Sequence, residues 1–204
     1  MTKPVDVEIW LEDRWLAEKG VGYPNVSVEE EKKQMSAMTE FEKAYQAKVF
    51  ALACERNLIA GSDNMRQLLK TATEAREMVN AARKGNVEEY IDGIGDQWVT
   101  VVIGMLQSDV LYQDALDSAY AGTRPYPPTT DDIVLAVGLI SEGILKQDKK
   151  MLTEGYGEYL AVLRVLPDFE DGVSKAWEAI KDRKGKMVNG VFVKEQDLEG
   201  ITNE

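Results

Sequence analysis

Two pairs of acids carry the first chemical signal in this chain. Glu74 and Glu77 stand three residues apart and Asp92 and Asp96 four apart, so each pair shares one face if its segment is helical. Carboxylates gathered in one place repel one another and are tolerated only with positive charge between them. Hard oxygen donors of this kind select Mg²⁺ or Mn²⁺. A single pair taken alone reads first as solvated surface, because the chain holds 36 Asp and Glu. No histidine is present and Cys54 is the single cysteine. Ser-His and Cys-His nucleophile pairs and the usual Cys/His zinc sites are therefore excluded, and a general base must be a carboxylate or a lysine. Cys54, with no histidine to activate it, reads as a small buried residue.

The second signal is basic. Lys181, Arg183, Lys184 and Lys186 crowd into six residues of a chain whose 24 Lys and Arg leave a net charge of −12. That balance repels polyanions, so neither direct nucleic-acid binding nor a membrane surface is expected. A polyanionic ligand would need a local cluster such as this one to hold its phosphates. The same charges also suit the end of a helix with no ligand at all. Trp98, Trp177 and Tyr120 have the ring faces to stack on a base, but their helical spacing reads first as packing.

Helices must position these groups. With 44% apolar and 29% charged residues the composition is that of a globular protein, and one cysteine makes no internal disulfide. No apolar run approaches the ~18 residues of a membrane span; neither a signal peptide nor a transmembrane helix is expected, and the cytoplasm is the default. Periodicity predicts a short leading helix over 5–18 and a charged helical face or mobile linker around EEEKK. Helices follow over 39–58, 65–84, 88–106 and 109–121. Leu68, Leu69, Ala72, Ala75, Met78 and Val79 form the apolar stripe of the 65–84 helix, and Lys84-Gly85-Asn86 turns the chain into its antiparallel neighbour. GSDN at 61–64 ends one helix and caps the next, and Asp131-Asp132 reads as a helix start. TRPYPPTT at 123–130 is the clearest linker. Helical signals resume over 131–147, 150–164 and 171–182, and Asn189-Gly190 between β-formers predicts a hairpin.

A degenerate repeat runs through this pattern. Asp92-Gly93-Ile94-Gly95-Asp96 returns as Glu154-Gly155-Tyr156-Gly157-Glu158, an offset of 62 residues, and Ser118-Ala119-Tyr120 has a counterpart in Lys175-Ala176-Trp177. The expected organisation is an N-terminal helix and linker (1–38), a first helical repeat with the acids (39–122), a linker (123–130) and a degenerate second repeat with the basic tail and hairpin (131–204). The second copy offers Glu142, Glu154 and Glu158, but Leu139 stands three residues before Glu142, so its acid pair is incomplete.

LLKTATEAREMVNAARKGNVEEYIDGIGDQWVTVVIGML, followed by AWEAIKDRKGKMVNGVFVKEQDL, resembles the MazG-type nucleoside triphosphate pyrophosphohydrolases, above all those of phages. The likeness spans 39–122 and 171–198. The resemblance implies an all-α helical bundle, here a single-chain pseudo-dimer of two tandem repeats with a small C-terminal β-hairpin. It implies Mg²⁺ (or Mn²⁺) held by Glu74, Glu77, Asp92 and Asp96, with Glu74 and Glu77 catalytic and Lys181, Arg183, Lys184 and Lys186 facing the substrate phosphates. The implied reaction converts a nucleoside or deoxynucleoside triphosphate and water into the monophosphate and pyrophosphate, in a host cytoplasm for a phage-encoded chain. Thr73 stands where the family's EExxE helix has its first glutamate, and Glu178 where the phage tail has Asn. These departures support an alternative, a MazG-fold protein without turnover that sequesters a nucleotide or binds a host protein. Further assembly into homo-oligomers is left open.

Overall fold

The computed structural model describes residues 28–121, 128–129 and 132–198. The helix expected over 5–18 and most of the 123–130 linker lie outside the described residues. Within them the chain is all-α apart from one hairpin: α1 (Val28–Ser36), α2 (Glu40–Glu55), α3 (Asn64–Lys84), α4 (Val87–Gln107), α5 (Tyr112–Ala121), α6 (Asp132–Lys146), α7 (Lys149–Val165), α8 (Phe169–Ile180), β1 (Gly185–Val188), β2 (Val191–Lys194) and the single turn α9 (Glu195–Leu198).

Local chemistry sets these boundaries. Thr39 and Glu42 form a reciprocal capping box at the start of α2, and the Asp63 carboxylate accepts the Arg66 N–H to open α3. Thr129 donates its N–H to Asp132, which opens α6. The α5 helix starts at Tyr112 rather than near 109 because Asp109 takes a left-handed backbone (φ 52°) that no helix can include. At the tail, Asn189 and Gly190 both have positive φ, and Val188 pairs with Val191 in an antiparallel hairpin.

The core forms around α4 and α7. The α4 helix is buried on nearly every side from Tyr90 to Met105, because it packs on α3 and α8 with α2 and α7 beside it. The α7 helix is covered in the same way by α6 and α5. Each belongs to a hairpin closed by two residues of matching geometry. Gly85 (φ 67°) and Gln147 (φ 54°) turn left-handed, after which the Asn86 and Asp148 N–H groups each reach back 2.9 Å to the carbonyls of Ala81 and Gly143. Asn86 and Asp148 then cap the following helices.

The packing crosses the chain: α8 lies on α4, and α5 lies on α7. Both crossings are made through glycine. A Cβ on Gly95 would stand 1.9 Å from the Gly172 carbonyl oxygen, and one on Gly157 would stand 2.1 Å from that of Ala115. A Cβ on their companions Gly93 and Gly155 would stand 2.8 Å from Met78 and Ile140. Between α4 and α7 the Tyr159 hydroxyl donates to Gln97 Oε1 at 2.8 Å, joining two positions that are themselves 62 residues apart. A buried network anchors α1 and α2 to this frame. Trp98 donates to the Tyr112 hydroxyl (2.9 Å), Tyr112 donates to Glu42 (2.8 Å), and Arg164 pairs with Glu42 (2.8 Å) while donating to the Met35 and Ala37 carbonyls.

Three readings of individual residues change. Leu69 and Val79 are 63% and 43% exposed; the buried stripe of α3 is Leu68, Thr71, Glu74, Met78 and Ala81. The face is rotated because α4 and its glycines meet α3 at Met78. Cys54 is exposed, not buried, since Val49, Leu52 and Ala53 are the residues of α2's last two turns that face the core. No helix among the described residues is long and apolar enough to cross a membrane.

Candidate functional site

The α3–α4 hairpin holds Glu74 and Glu77 on one helix and Asp92 and Asp96 on the other. All four line a single cleft of about 350 Å³ together with Asn80, Lys84, Glu89 and Gly93. Gly93 opens it physically: without a side chain there, α4 comes against Met78 and the acids on either side of the glycine face α3.

Burial and like charge shape the electrostatics. Asp96 is pushed up to about 6, first by burial and then by the negative charges of Glu74 and Asp92; Lys70 and Arg183 oppose the shift. Asp92 is raised for the same two leading reasons, burial and then Glu74, with Lys175 and Arg183 opposing and Glu88 adding to the rise. Glu74 is the buried member of the set and receives the Lys70 ammonium on Oε1 at 2.5 Å. Thr73, in the place of the family's first glutamate, is outside the cleft lining and returns its hydroxyl to the Leu69 carbonyl.

The predicted basic residues occupy a second cleft of about 610 Å³, where Lys181, Arg183, Lys184 and Lys186 are joined by Arg56, Asn57, Glu55, Asp182, Gly185 and Met187. The two clefts share no lining residue. Arg183 connects them electrostatically, since it acts on both Asp92 and Asp96 from the basic side. Lys181 is engaged locally by Glu178 at 2.5 Å, the residue that replaces the phage-type Asn.

Two of the acids expected in the second half stand apart from this cleft. Glu142 pairs with Lys146 and Glu154 with Lys150 at 3.6 Å, each along its own helix. Of the aromatic candidates, Trp98 is fully buried, while Tyr120 and Trp177 pack against the core from its edge. Lys48 stands over the Trp177 ring at 5.6 Å.

Several cleft residues were not among the expected ones. Asn80 and Lys84 lie on the Glu77 side of α3 at helical spacing, and Glu89 precedes Asp92 by three, so the same periodic argument reaches them. No hydropathy signal marked Glu74, which stands beside the predicted apolar stripe; its spacing to Glu77 was its signal. Arg56 carried none, since only the fold brings it to the tail.

As placed, no three Asp, Glu or Cys side chains among the described residues stand close enough together to chelate an ion. The donor chemistry nonetheless fits a hard divalent cation. Every acidic donor is a carboxylate oxygen, and it is uncompensated negative charge that helps to raise Asp96 and Asp92. Lys70, mostly exposed, supplies part of the compensation now.

No protein-family model, curated protein or solved structure matches this chain.

Proposed function

We propose that the chain is a MazG-type helical bundle written as two tandem repeats, a pseudo-dimer in one polypeptide, that hydrolyses a nucleoside or deoxynucleoside triphosphate to the monophosphate and pyrophosphate. The observation that carries this reading is the convergence of Glu74, Glu77, Asp92 and Asp96 from two helices into one cleft, with Arg183 within electrostatic reach. The duplication is supported by the packing of α8 on α4 and of α5 on α7 and by the matched turns at 85–86 and 147–148.

Glu74, Glu77, Asp92 and Asp96 would hold Mg²⁺ or Mn²⁺, which when bound supplies charge screening for the phosphates and acidifies a water. The protein's own groups do the rest. Water oxygen bonds to the α-phosphorus as the bond to the α–β bridging oxygen breaks, and the water proton passes to a cleft carboxylate. The resemblance assigns that role to the Glu74 and Glu77 pair. Arg183, Lys184 and Lys186 would bear the negative charge of the leaving pyrophosphate. The site needs no histidine.

A second reading is favoured by two contacts and one missing carboxylate. Lys70 already engages Glu74, Glu178 already engages Lys181, and Thr73 contributes no carboxylate. A site neutralised by its own neighbours suits a protein that binds a nucleotide or a host protein without turnover. Pyrophosphate release from each of the eight nucleoside and deoxynucleoside triphosphates, with Mg²⁺ and with Mn²⁺, separates the two. Release abolished by Glu77→Gln and by Asp96→Asn is the expected result. Absence of release with every nucleotide sinks the hydrolase reading, and release that survives both substitutions shows that other groups do the chemistry.

A further inference from the structure

The basic tail leaves α8 at Ile180 and would be free to point anywhere if nothing fixed it. Its charged residues are exposed, and Lys184 and Lys186 have no ion pair among the described residues. One residue from a distant part of the chain meets it at three places. Arg56, just past the end of α2, donates from Nη2 to the Ile180 carbonyl at 2.7 Å and to the Lys181 carbonyl at 3.2 Å. Its guanidinium lies 5.3 Å from the centre of the Phe192 ring, on the second strand of the hairpin. It also lines the cleft that contains Lys181, Arg183, Lys184 and Lys186.

These contacts are unusual in what they join. The last carbonyls of a helix lack partners within it and carry the negative end of its dipole, so a cation there is favourable. An arginine adds a planar fork that can take two carbonyls from one nitrogen and still lay its face on an aromatic ring. The end of α8 and the strand of the returning hairpin thereby meet the same side chain, while Arg66 packs against the hairpin's turn at Gly190. The placement is not without electrostatic opposition. Burial lowers the Arg56 pKa first, and the neighbouring charge of Arg183 lowers it further, against Glu55 and Asp182. A guanidinium kept beside another cation is what a site for an anion presents before the anion arrives.

We propose that Arg56 is the positioning residue of the basic cleft, clamping the end of α8 and the hairpin so that Arg183, Lys184 and Lys186 are held ready for a chain of phosphates. The inference rests on the triphosphate reading only for the identity of the ligand; the clamp itself rests on the contacts of Arg56. A lysine cannot replace it, because a single ammonium lacks the planar fork and the stacking face.

The test uses the whole chain and inorganic tripolyphosphate without metal, so that binding is read apart from hydrolysis. Arg56→Ala and Arg56→Lys are compared with Lys149→Ala, an exposed lysine paired with Asp109 outside the basic cleft. Tripolyphosphate affinity is measured by titration calorimetry and tail order by amide hydrogen exchange over 181–194. The expected result is a loss of about tenfold or more in both Arg56 variants, the worth of a charge-assisted hydrogen bond, with faster exchange in the tail and no such change in Lys149→Ala. If Arg56→Ala does not fold, the charge-conserving Arg56→Lys decides alone. Arg56→Lys with wild-type affinity and wild-type tail exchange overturns the proposal, since charge without geometry would then suffice. Wild-type protein that fails to bind tripolyphosphate overturns it as well. Wild-type protein that binds tripolyphosphate but cleaves no nucleotide removes the hydrolase reading and leaves the clamp standing.

Discussion

Asp96 sits where two negative neighbours and a buried wall meet, and its carboxyl is pushed up to about 6. In an unfolded chain the same group titrates near about 3.9. Between those values the folded protein holds a proton that the unfolded protein has released, so this contribution to stability is complete below about pH 4 and is lost as pH rises through 6. Asp92 shifts in the same direction. Without metal, Asp96→Asn should therefore stabilise the protein at pH 7.5, by about 2 kcal/mol, and flatten the dependence between pH 4 and 7. Thermal unfolding across pH checks this; an Asp96→Asn midpoint below wild type at pH 7.5 would refute the origin assigned to the shift. Adding Mg²⁺ should raise the wild-type midpoint more at pH 7.5 than at pH 5, where Asp96 is protonated, and should do little for Asp96→Asn. The four acids were legible in the sequence because residues three and four apart on a helix must share a face. The surrounding balance was not. That Lys70 would engage Glu74, that Glu178 would engage Lys181 and that Arg56 would reach Ile180 depend on side-chain directions and on packing between elements far apart in sequence. Cys54 was misread for the same reason: composition says that cysteine is often buried, whereas the orientation of α2 decides that this one is not.

At the scale of elements, glycine decides where helices touch. The α4–α8 crossing brings the Gly172 carbonyl to within 1.9 Å of where a Gly95 Cβ would lie, with backbone and not a movable side chain in the way. Gly95→Ala should force α8 off α4 and cost about 3 kcal/mol. Gly138, midway along α6, has nothing within 4 Å of its would-be Cβ, so Gly138→Ala should instead stabilise by about 1 kcal/mol through helix propensity. Urea unfolding of the two variants reads both signs, and equal effects would show that the helix crossing is not made through Gly95. The helices themselves were readable from periodicity and from their caps, with boundaries displaced where a backbone turns left-handed, as at Asp109. The rotation of α3 was not readable. Leu69 and Val79 satisfy the helical rhythm as well as Glu74 does, and only the approach of α4 at Met78 tells which of them faces inward. A buried charged residue on a helix whose exposed face carries leucine and valine is a local conflict of hydropathy, the kind that marks a functional position.

Across the whole molecule, the packing of α8 on α4 and of α5 on α7 has a consequence for how the chain holds together. The α4 helix of the first half is covered by α8 from the second, and α7 of the second half by α5 from the first. Each half alone would uncover the faces on which the other packs, at Ile94 against Gly172 on one side and at Gly157 against Ala115 on the other. The proposed repeat at an offset of 62 residues is silent about whether its copies pack side by side or through one another. The reciprocal packing predicts that residues 1–130 and 131–204 made separately will lack cooperative unfolding transitions, and that mixing them will restore one. Circular dichroism of each fragment, then of the equimolar mixture, follows the outcome, with Gly95→Ala in the first fragment expected to block reassembly. A first fragment that unfolds cooperatively by itself, with the intact chain's midpoint, would mean that α8 contributes little to the core. Because the basic tail follows α8, reassembly must also bring Arg183 back beside Asp92 and Asp96. Any hydrolysis of triphosphates should therefore be absent from both fragments and return with the restored transition. Hydrolysis by residues 1–130 alone would instead show that the acids act without the tail.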